Sequence, residues 1–275
     1  MLNESLKECH TKFCQIRLRH DGSKEWLLTR YSFLYPTTLM PLLEYITDNN
    51  LDVKFHPDVE GYLNTIMDKN IIDKSPLERT YIKVAMLNPK HVKGIDVLNE
   101  VINLLSKYYG GLDALYYLLY ELTSNIYDHS RFSRAFVMAQ EFPQKEFIEI
   151  CIYDNGISIP QCFKNHGYDF GSDANSIYNA INGKSTKSKE AGRGYGINTS
   201  ARMVLDGFNG EIFIASRNGA IHLDNKGTTA YKCENAYELE GTLVSMRLPK
   251  VLINYAEHIN SIKTFSKFKE EKRCR

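Results

Sequence analysis

The spacing of apolar positions changes along this chain, and each change marks an element. From Phe147 to Tyr153 apolar and other residues alternate, with Ile148, Ile150 and Ile152 on one side, which predicts a strand. Upstream the period is helical: Leu115, Leu118, Leu119, Leu122 and Ile126 fall on one face. Ile95, Val97, Leu98, Val101, Ile102 and Leu105 lie close to the same spacing and predict an earlier helix, with Gly110-Gly111 as the interruption. Downstream, Ile197, Ala201, Val204 and Leu205 predict a short helix, residues 211–216 a strand, and Asn218-Gly219 a hairpin turn into a strand at 220–223. A last strand is expected over 242–248. Residues 161–191 are polar, glycine-bearing and weakly periodic, and a stretch of that length without a strong pattern reads as a functional lid.

The first 95 residues read as a small α/β module. Ile16 to Leu18 and Trp26 to Leu28 are expected as short strands around the turn Asp21-Gly22. Pro36 and Thr37 open a helix that runs to Thr47, with Leu39, Leu42, Leu43, Tyr45 and Ile46 as its apolar positions. Phe55 suggests another strand and residues 59–67 a second helix. Asn88-Pro89-Lys90 marks a boundary. The expected organisation is therefore 1–95 as a partner-binding module, 96–255 as the main domain, and 256–275 as a basic tail.

The composition narrows the function classes. The 275 residues carry 34 basic and 33 acidic side chains for a net charge of +1, with 43% hydrophobic residues. That balance suits a globular chain with a real core and gives no reason to propose nucleic acid or a membrane surface as partner. No run is long enough to span a bilayer, and the polar first residues do not resemble a signal peptide. Six scattered cysteines without a C-x-x-C pair fit a reducing compartment. The expectation is a cytoplasmic protein.

Three segments carry candidate chemistry. Glu121, Asn125 and His129 stand at i, i+4 and i+8, so on a helix they form a polar stripe beside the apolar face. The amide oxygen of Asn125 suits Mg²⁺, a hard cation that binds together with substrate phosphates. Glu121 can orient and deprotonate water or a hydroxyl, and His129 can reach a phosphate. The plain alternative is a solvated helix edge. Asp154-Asn155-Gly156 follows the predicted strand: a carboxylate there can accept from an exocyclic amine such as that of adenine, and Gly156 leaves room for a flat ring. The alternative is an ordinary turn, for which Asp-Asn-Gly is well suited. Gly192-Arg193-Gly194-Tyr195-Gly196 precedes a helix and can present backbone N–H groups to phosphate. It is not a dinucleotide fingerprint, because position 197 is Ile197 and no strand leads into it. A Walker-type loop at Gly183-Lys184-Ser185 is excluded by Tyr178.

The order of these segments resembles the GHKL ATPase superfamily of gyrase, the ninety-kilodalton chaperones, sensor histidine kinases and mismatch-repair ATPases. Glu121, Asn125 and His129 match its N-box. Asp154, Gly156 and Ser158 match its D-x-G-x-G box, with serine in place of the second glycine. Gly192, Gly194 and Gly196 match its second glycine box, and Gly241-Thr242 its closing pair. The resemblance covers roughly residues 100–250. It implies an α+β, Bergerat-type two-layer sandwich, with a mixed, largely antiparallel sheet and helices on one face, preceded by the small α/β domain. It implies ATP and Mg²⁺ as ligands, Asp154 on the adenine amine with Thr242 supporting it through water, and Asn125 on the metal. Gly192 to Gly196 would cover the phosphates, and Lys187 or Arg193 would reach the γ-phosphate. Serine is not free to adopt positive φ, so Ser158 leaves lid geometry open.

Several branches of the superfamily fit poorly. The region around His91 lacks the acidic neighbour and downstream proline of a phosphoacceptor histidine, and only about 25 residues follow Leu248, too few for a transducer domain. The expected protein is a stand-alone ATP module with a small N-terminal domain, as a possible homodimer. Two functions remain. One is ATP hydrolysis or phosphate transfer to a partner's serine, with Glu121 as base. The other is a nucleotide-gated switch with little turnover.

Overall fold

The computed structural model describes residues 4–67, 80–87, 89–90, 95–106, 109–110, 112–186, 196–234, 238–250 and 253–254. In the N-terminal part the elements are α1 (Leu6–Leu18), β1 (Glu25–Leu28), α2 (Pro36–Asp48), β2 (Asp52–Phe55), α3 (Pro57–Met67) and β3 (Ala85–Leu87). Then come α4 (Ile95–Leu105), β4 (Tyr109–Gly110), α5 (Leu112–Asn125), β5 (Ala135–Phe142) and β6 (Phe147–Asp154). The rest is α6 (Ile159–Asn165), α7 (Asp173–Ile181), α8 (Gly196–Arg202), β7 (Glu211–Arg217), β8 (Gly219–Asp224), β9 (Gly227–Lys232), β10 (Leu239–Pro249) and β11 (Ile253–Asn254). Among the described residues no helix is long and apolar enough to cross a membrane.

Seven strands form one sheet in the order β3-β5-β6-β10-β7-β8-β9. Every neighbouring pair in it is antiparallel. The mixed character expected of the sheet is thus confined to two small parallel pairs, β1 with β2 and β4 with β11. One face of the sheet packs α4, α5, α7 and α8 through Leu98, Leu118, Ile177 and Ala201 onto Ile150, Ile152, Ile214 and Val244. This is the expected two-layer α+β sandwich, built by the period-2 alternation of the strands against the period-3.6 faces of the helices.

The opposite face is also covered. Leu6, Phe13, Ile16, Leu39, Met40 and Leu42 of α1 and α2 share a core with Cys151, Tyr153, Phe213, Ala215 and Leu243 of the sheet. Packing therefore runs across the boundary expected at residues 88–90: β3 is an edge strand of the large sheet, and Ile82 N–H donates to Ala139 O. All eight residues of β6 are buried, and five of the eight in β5. Residues 135–139 are an unbroken apolar run, so β5, with the sequence AFVMAQEF, shows no alternation to mark it as a strand.

Three further differences have local causes. Ile16 to Leu18 close a helix rather than form a strand. Ser5 caps α1, and Glu8 returns the bond to the Ser5 N–H at 2.7 Å, a capping box that the Ser5-x-x-Glu8 spacing encodes. Residues 161–181 hold two short helices instead of an unpatterned lid, capped by Ser158 and Ser172, whose hydroxyls accept from Gln161 N–H and Asn175 N–H. The expected helix over 197–205 is α8 followed by a π-helical turn at Met203–Gly207.

A buried ion pair fastens the N-terminal layer. Glu149 is fully buried on β6 and accepts from Arg247 Nε at 2.8 Å and from the N–H and hydroxyl of Thr37 at 2.9 and 2.8 Å. Thr37 lies in the first turn of α2, so the carboxylate also caps a helix start. Arg247 reaches Glu4 O at 2.5 Å and packs its guanidinium over Tyr35 and Phe147. Removing one member of such a pair strands the other charge. Glu149→Ala should cost about 3 kcal/mol in urea denaturation, the low end of the range for a broken buried pair, because Glu211 remains 3.6 Å from Arg247. An unchanged midpoint would show the pair to be dispensable.

Candidate functional site

A cleft opens where α5 and β6 end and β10 begins. Its lining includes Leu122, Asn125 and His129 from the helix, Asp154 and Ile157 from the end of β6, and Thr242 from β10. After Asn125 the helix changes to a π-helical turn, Ile126–Ser130, closed by Arg131 at φ +49°. With i→i+5 bonding, residues five apart stack over one another. That change brings Ser130, as well as His129, to the cavity side with Asn125. A uniform α-helix, the basis of the i+4 reading, leaves Ser130 out.

Asp154 sits at the last position of β6, directly between Ala135 of β5 and Thr242 of β10, and Thr242 is opposite Ser216 of β7. Asp154 is 3% exposed. Burial pushes its carboxyl up to about 7, against the pull of the Gly156 N–H, which donates to Oδ1 at 3.0 Å, and of the Ser130 hydroxyl. Ser216 Oγ donates to Gly241 O at 2.8 Å, accepts from Ile159 N–H at 3.0 Å and lies 3.1 Å from Thr242 Oγ1. With its proton committed to Gly241 O, Ser216 accepts from Thr242, which leaves the lone pairs of Thr242 as acceptors. Two acceptors, Asp154 and Thr242, thus stand side by side in a cleft whose other walls include Leu122, Ile152, Ile157 and Val244.

Two glycines permit this arrangement. A Cβ on Gly156 would lie 2.2 Å from Ser130 O, and the next N–H, of Ile157, donates to that same carbonyl at 2.5 Å. The glycine is demanded by a backbone approach. Gly241 has φ +71°, and a Cβ there would lie 1.9 Å from Asp154 O. Ser158 answers the question raised by the missing glycine. At φ −66° it needs no glycine freedom, and its hydroxyl caps α6.

Asn125 is half-buried, and its Nδ2 is buried without a hydrogen-bond partner in the protein. A buried amide nitrogen of that kind is costly, so the residue is set up for a ligand. Glu121 is half-buried one turn earlier and does not line the cleft formed by the described residues. Burial and the neighbouring Glu121 carboxylate push the Tyr117 pKa up. Gly196 begins α8. Lys187, Gly192, Arg193, Gly194 and Tyr195 lie outside the described residues. Sequence reading missed Lys184, which lines the cleft with its Nζ 4.3 Å from the centre of the Tyr168 ring. Its only signal was the Gly183-Lys184-Ser185 triplet. Ser216 gave no signal at all, being one small polar residue at the end of an apolar strand.

An antiparallel sheet layered on helices, with a carboxyl at the end of a central strand facing a helix-borne carboxamide across a largely apolar cleft, defines a nucleotide-binding α+β module. Residues 110–251 match the family model for the histidine kinase-, DNA gyrase B-, and HSP90-like ATPases. The match spans more than half of the 275 residues, and the chain belongs to this family of ATP-binding proteins. No curated protein matches the chain.

The raised pKa of Asp154 has a consequence for stability. Between about pH 4 and 7 the folded protein keeps a proton that the unfolded chain has released, so this group lowers stability as pH rises through that window. Asp154→Asn should therefore stabilise the ligand-free protein at pH 8, by on the order of 3–4 kcal/mol for a shift of this size. The gain should vanish near pH 4. Chemical denaturation of both proteins across pH measures it, and a pH-independent difference would refute the buried neutral carboxyl.

Proposed function

We propose that this protein binds ATP with magnesium and hydrolyses it or transfers its γ-phosphate to a serine of a partner protein. The observation that carries the reading is the presence in one cleft of the buried Asp154 carboxyl and of Asn125, whose buried Nδ2 donor has no partner in the protein and fits a phosphate oxygen. In this reading Asp154 and Thr242 accept from the adenine amine, and the apolar walls hold the ring. Among the described residues no three His, Cys, Asp or Glu side chains group as metal ligands. A lone carboxamide suits a cation that arrives with phosphates, and Asn125 would hold it. Magnesium, when bound, supplies neutralisation of the phosphate charge. His129 reaches the phosphates, and Gly192 to Gly196, with Arg193 and Tyr195, cover them. Lys187 or Arg193 reaches the γ-phosphate. Residues 1–95 serve as the protein-recognition surface, and the module works as a homodimer.

The proposed base is Glu121, one turn before Asn125. Its place off the cleft, beside Tyr117, favours a second reading: a switch that binds nucleotide and turns it over slowly. In the catalytic reading Glu121 leaves Tyr117 when the site closes. Such tightening is common between free and liganded enzymes.

Binding of a fluorescent ATP analogue with and without magnesium tests the site. A hydrogen bond to a charged group is worth about 1.5–3 kcal/mol, so Asp154→Ala should weaken binding roughly 10- to 150-fold. Asn125→Ala should abolish the gain from magnesium while leaving magnesium-free binding nearly unchanged. Wild-type affinity in both variants would refute the site. Turnover is tested separately with Glu121→Ala. A general base contributes about 10²- to 10⁴-fold, so phosphate release should fall by that factor with the dissociation constant unchanged. Unaltered release would leave the switch reading standing.

A further inference from the structure

The segment that carries Asp154 is tied to the N-terminal layer by a side-chain network built around one buried carboxylate. Glu44 of α2 is 5% exposed. Its Oε1 accepts from Asn155 Nδ2 at 2.9 Å, and both its oxygens accept from Arg134 Nε at 2.9 Å. The same guanidinium donates to Asp48, one turn further along α2, at 2.7 Å. Asn155 is the node. Its Oδ1 accepts from the N–H groups of Ser133 and Arg134 at 3.1 and 2.9 Å, its Nδ2 also donates to Ser133 Oγ, and its own N–H donates to Arg134 O at 3.0 Å. Asn155 stands between Asp154 and Gly156, so a contact made by α2 fixes the segment from which the Asp154 carboxyl and the Gly156 N–H project.

We propose that Glu44 is a positioning residue for the nucleotide cleft, so that docking of α2 and binding of ATP strengthen one another. The inference rests on the reading of Asp154 as the adenine acceptor. Linkage makes the effect reciprocal: if seating α2 holds the loop in its binding geometry, nucleotide must tighten the seating of α2 by the same factor. A ligand of the N-terminal layer then acts on the cleft without touching it. Hydrogen-bond polarity makes Glu44 specific. Glutamine there turns its NH₂ toward either Asn155 Nδ2 or Arg134, donor against donor. The double substitution Glu44→Gln with Asn155→Asp reverses the polarity of the contact, and its new carboxylate still accepts from the Ser133 and Arg134 N–H groups.

Two measurements on the full chain test this: affinity for a magnesium–ATP analogue, and hydrogen exchange at the Asn155 and Ile157 amides without nucleotide. Glu44→Gln should weaken binding about 5- to 150-fold, the span of typical coupling, and speed exchange at those two amides. The double variant should recover most of both, which a general loss of folding would not. Normal affinity and protection in Glu44→Gln, or no recovery in the double variant, would overturn the proposal. If the wild type binds no nucleotide while the exchange pattern holds, the coupling of α2 to the loop stands and the adenine role of Asp154 falls.

Discussion

The cleft depends on backbone approaches closer than any side chain would allow. Gly156 lies against the Ser130 carbonyl and Gly241 against the Asp154 carbonyl, each where a Cβ would sit 2.2 Å or less from a backbone oxygen. Together they draw the end of α5, the end of β6 and the start of β10 into one corner. Ser216 completes the corner by holding Gly241 O, Ile159 N–H and Thr242 at once. The result is a carboxyl sealed from water at the edge of an apolar cleft, with a protonation state set by that seal. Opening the corner by one methyl group would admit water, lower the Asp154 pKa and remove the acceptor pair.

A sheet with both faces buried is the second constraint. The helices α4, α5, α7 and α8 would leave Cys151, Tyr153, Phe213 and Leu243 exposed on the far side, and α1 and α2 cover them. The cover is specific because it includes polar contacts that only one register satisfies: Thr37 and Arg247 on Glu149, and Arg134 and Asn155 on Glu44. Hydrophobic burial supplies the attraction, and the buried carboxylates select the seating. The described residues before 88 are therefore part of the same packed structure as the sheet that ends in the cleft.

Much of the core module was legible because its signals are local. The helical stripe of α5, the alternation in β6, the Asn218-Gly219 turn and the four ordered motifs all depend on neighbours within a few residues. What escaped depends on long-range packing. β5 opens on an unbroken apolar run at 135–139 whose state is decided by its partners in the sheet, and Ser216 and Ser130 matter only through partners far away in the chain. The placement of Ser130 further depends on a π-helical turn that no residue pattern announced. The capping box of α1, by contrast, is a local signal carried by the Ser5-x-x-Glu8 spacing. The role of Glu44 was invisible, since a lone glutamate on an amphipathic helix looks like any solvated residue until Arg134 and Asn155 are brought to it.

The most direct test follows the Asp154 carboxyl itself. In carbon-labelled protein its titration can be recorded by NMR without and with saturating ATP. The ligand-free midpoint should stand near 7, and nucleotide should lower it markedly, because an adenine amine donates more strongly to the ionised form. A midpoint that nucleotide leaves in place would contradict the assignment of this carboxyl as the base acceptor.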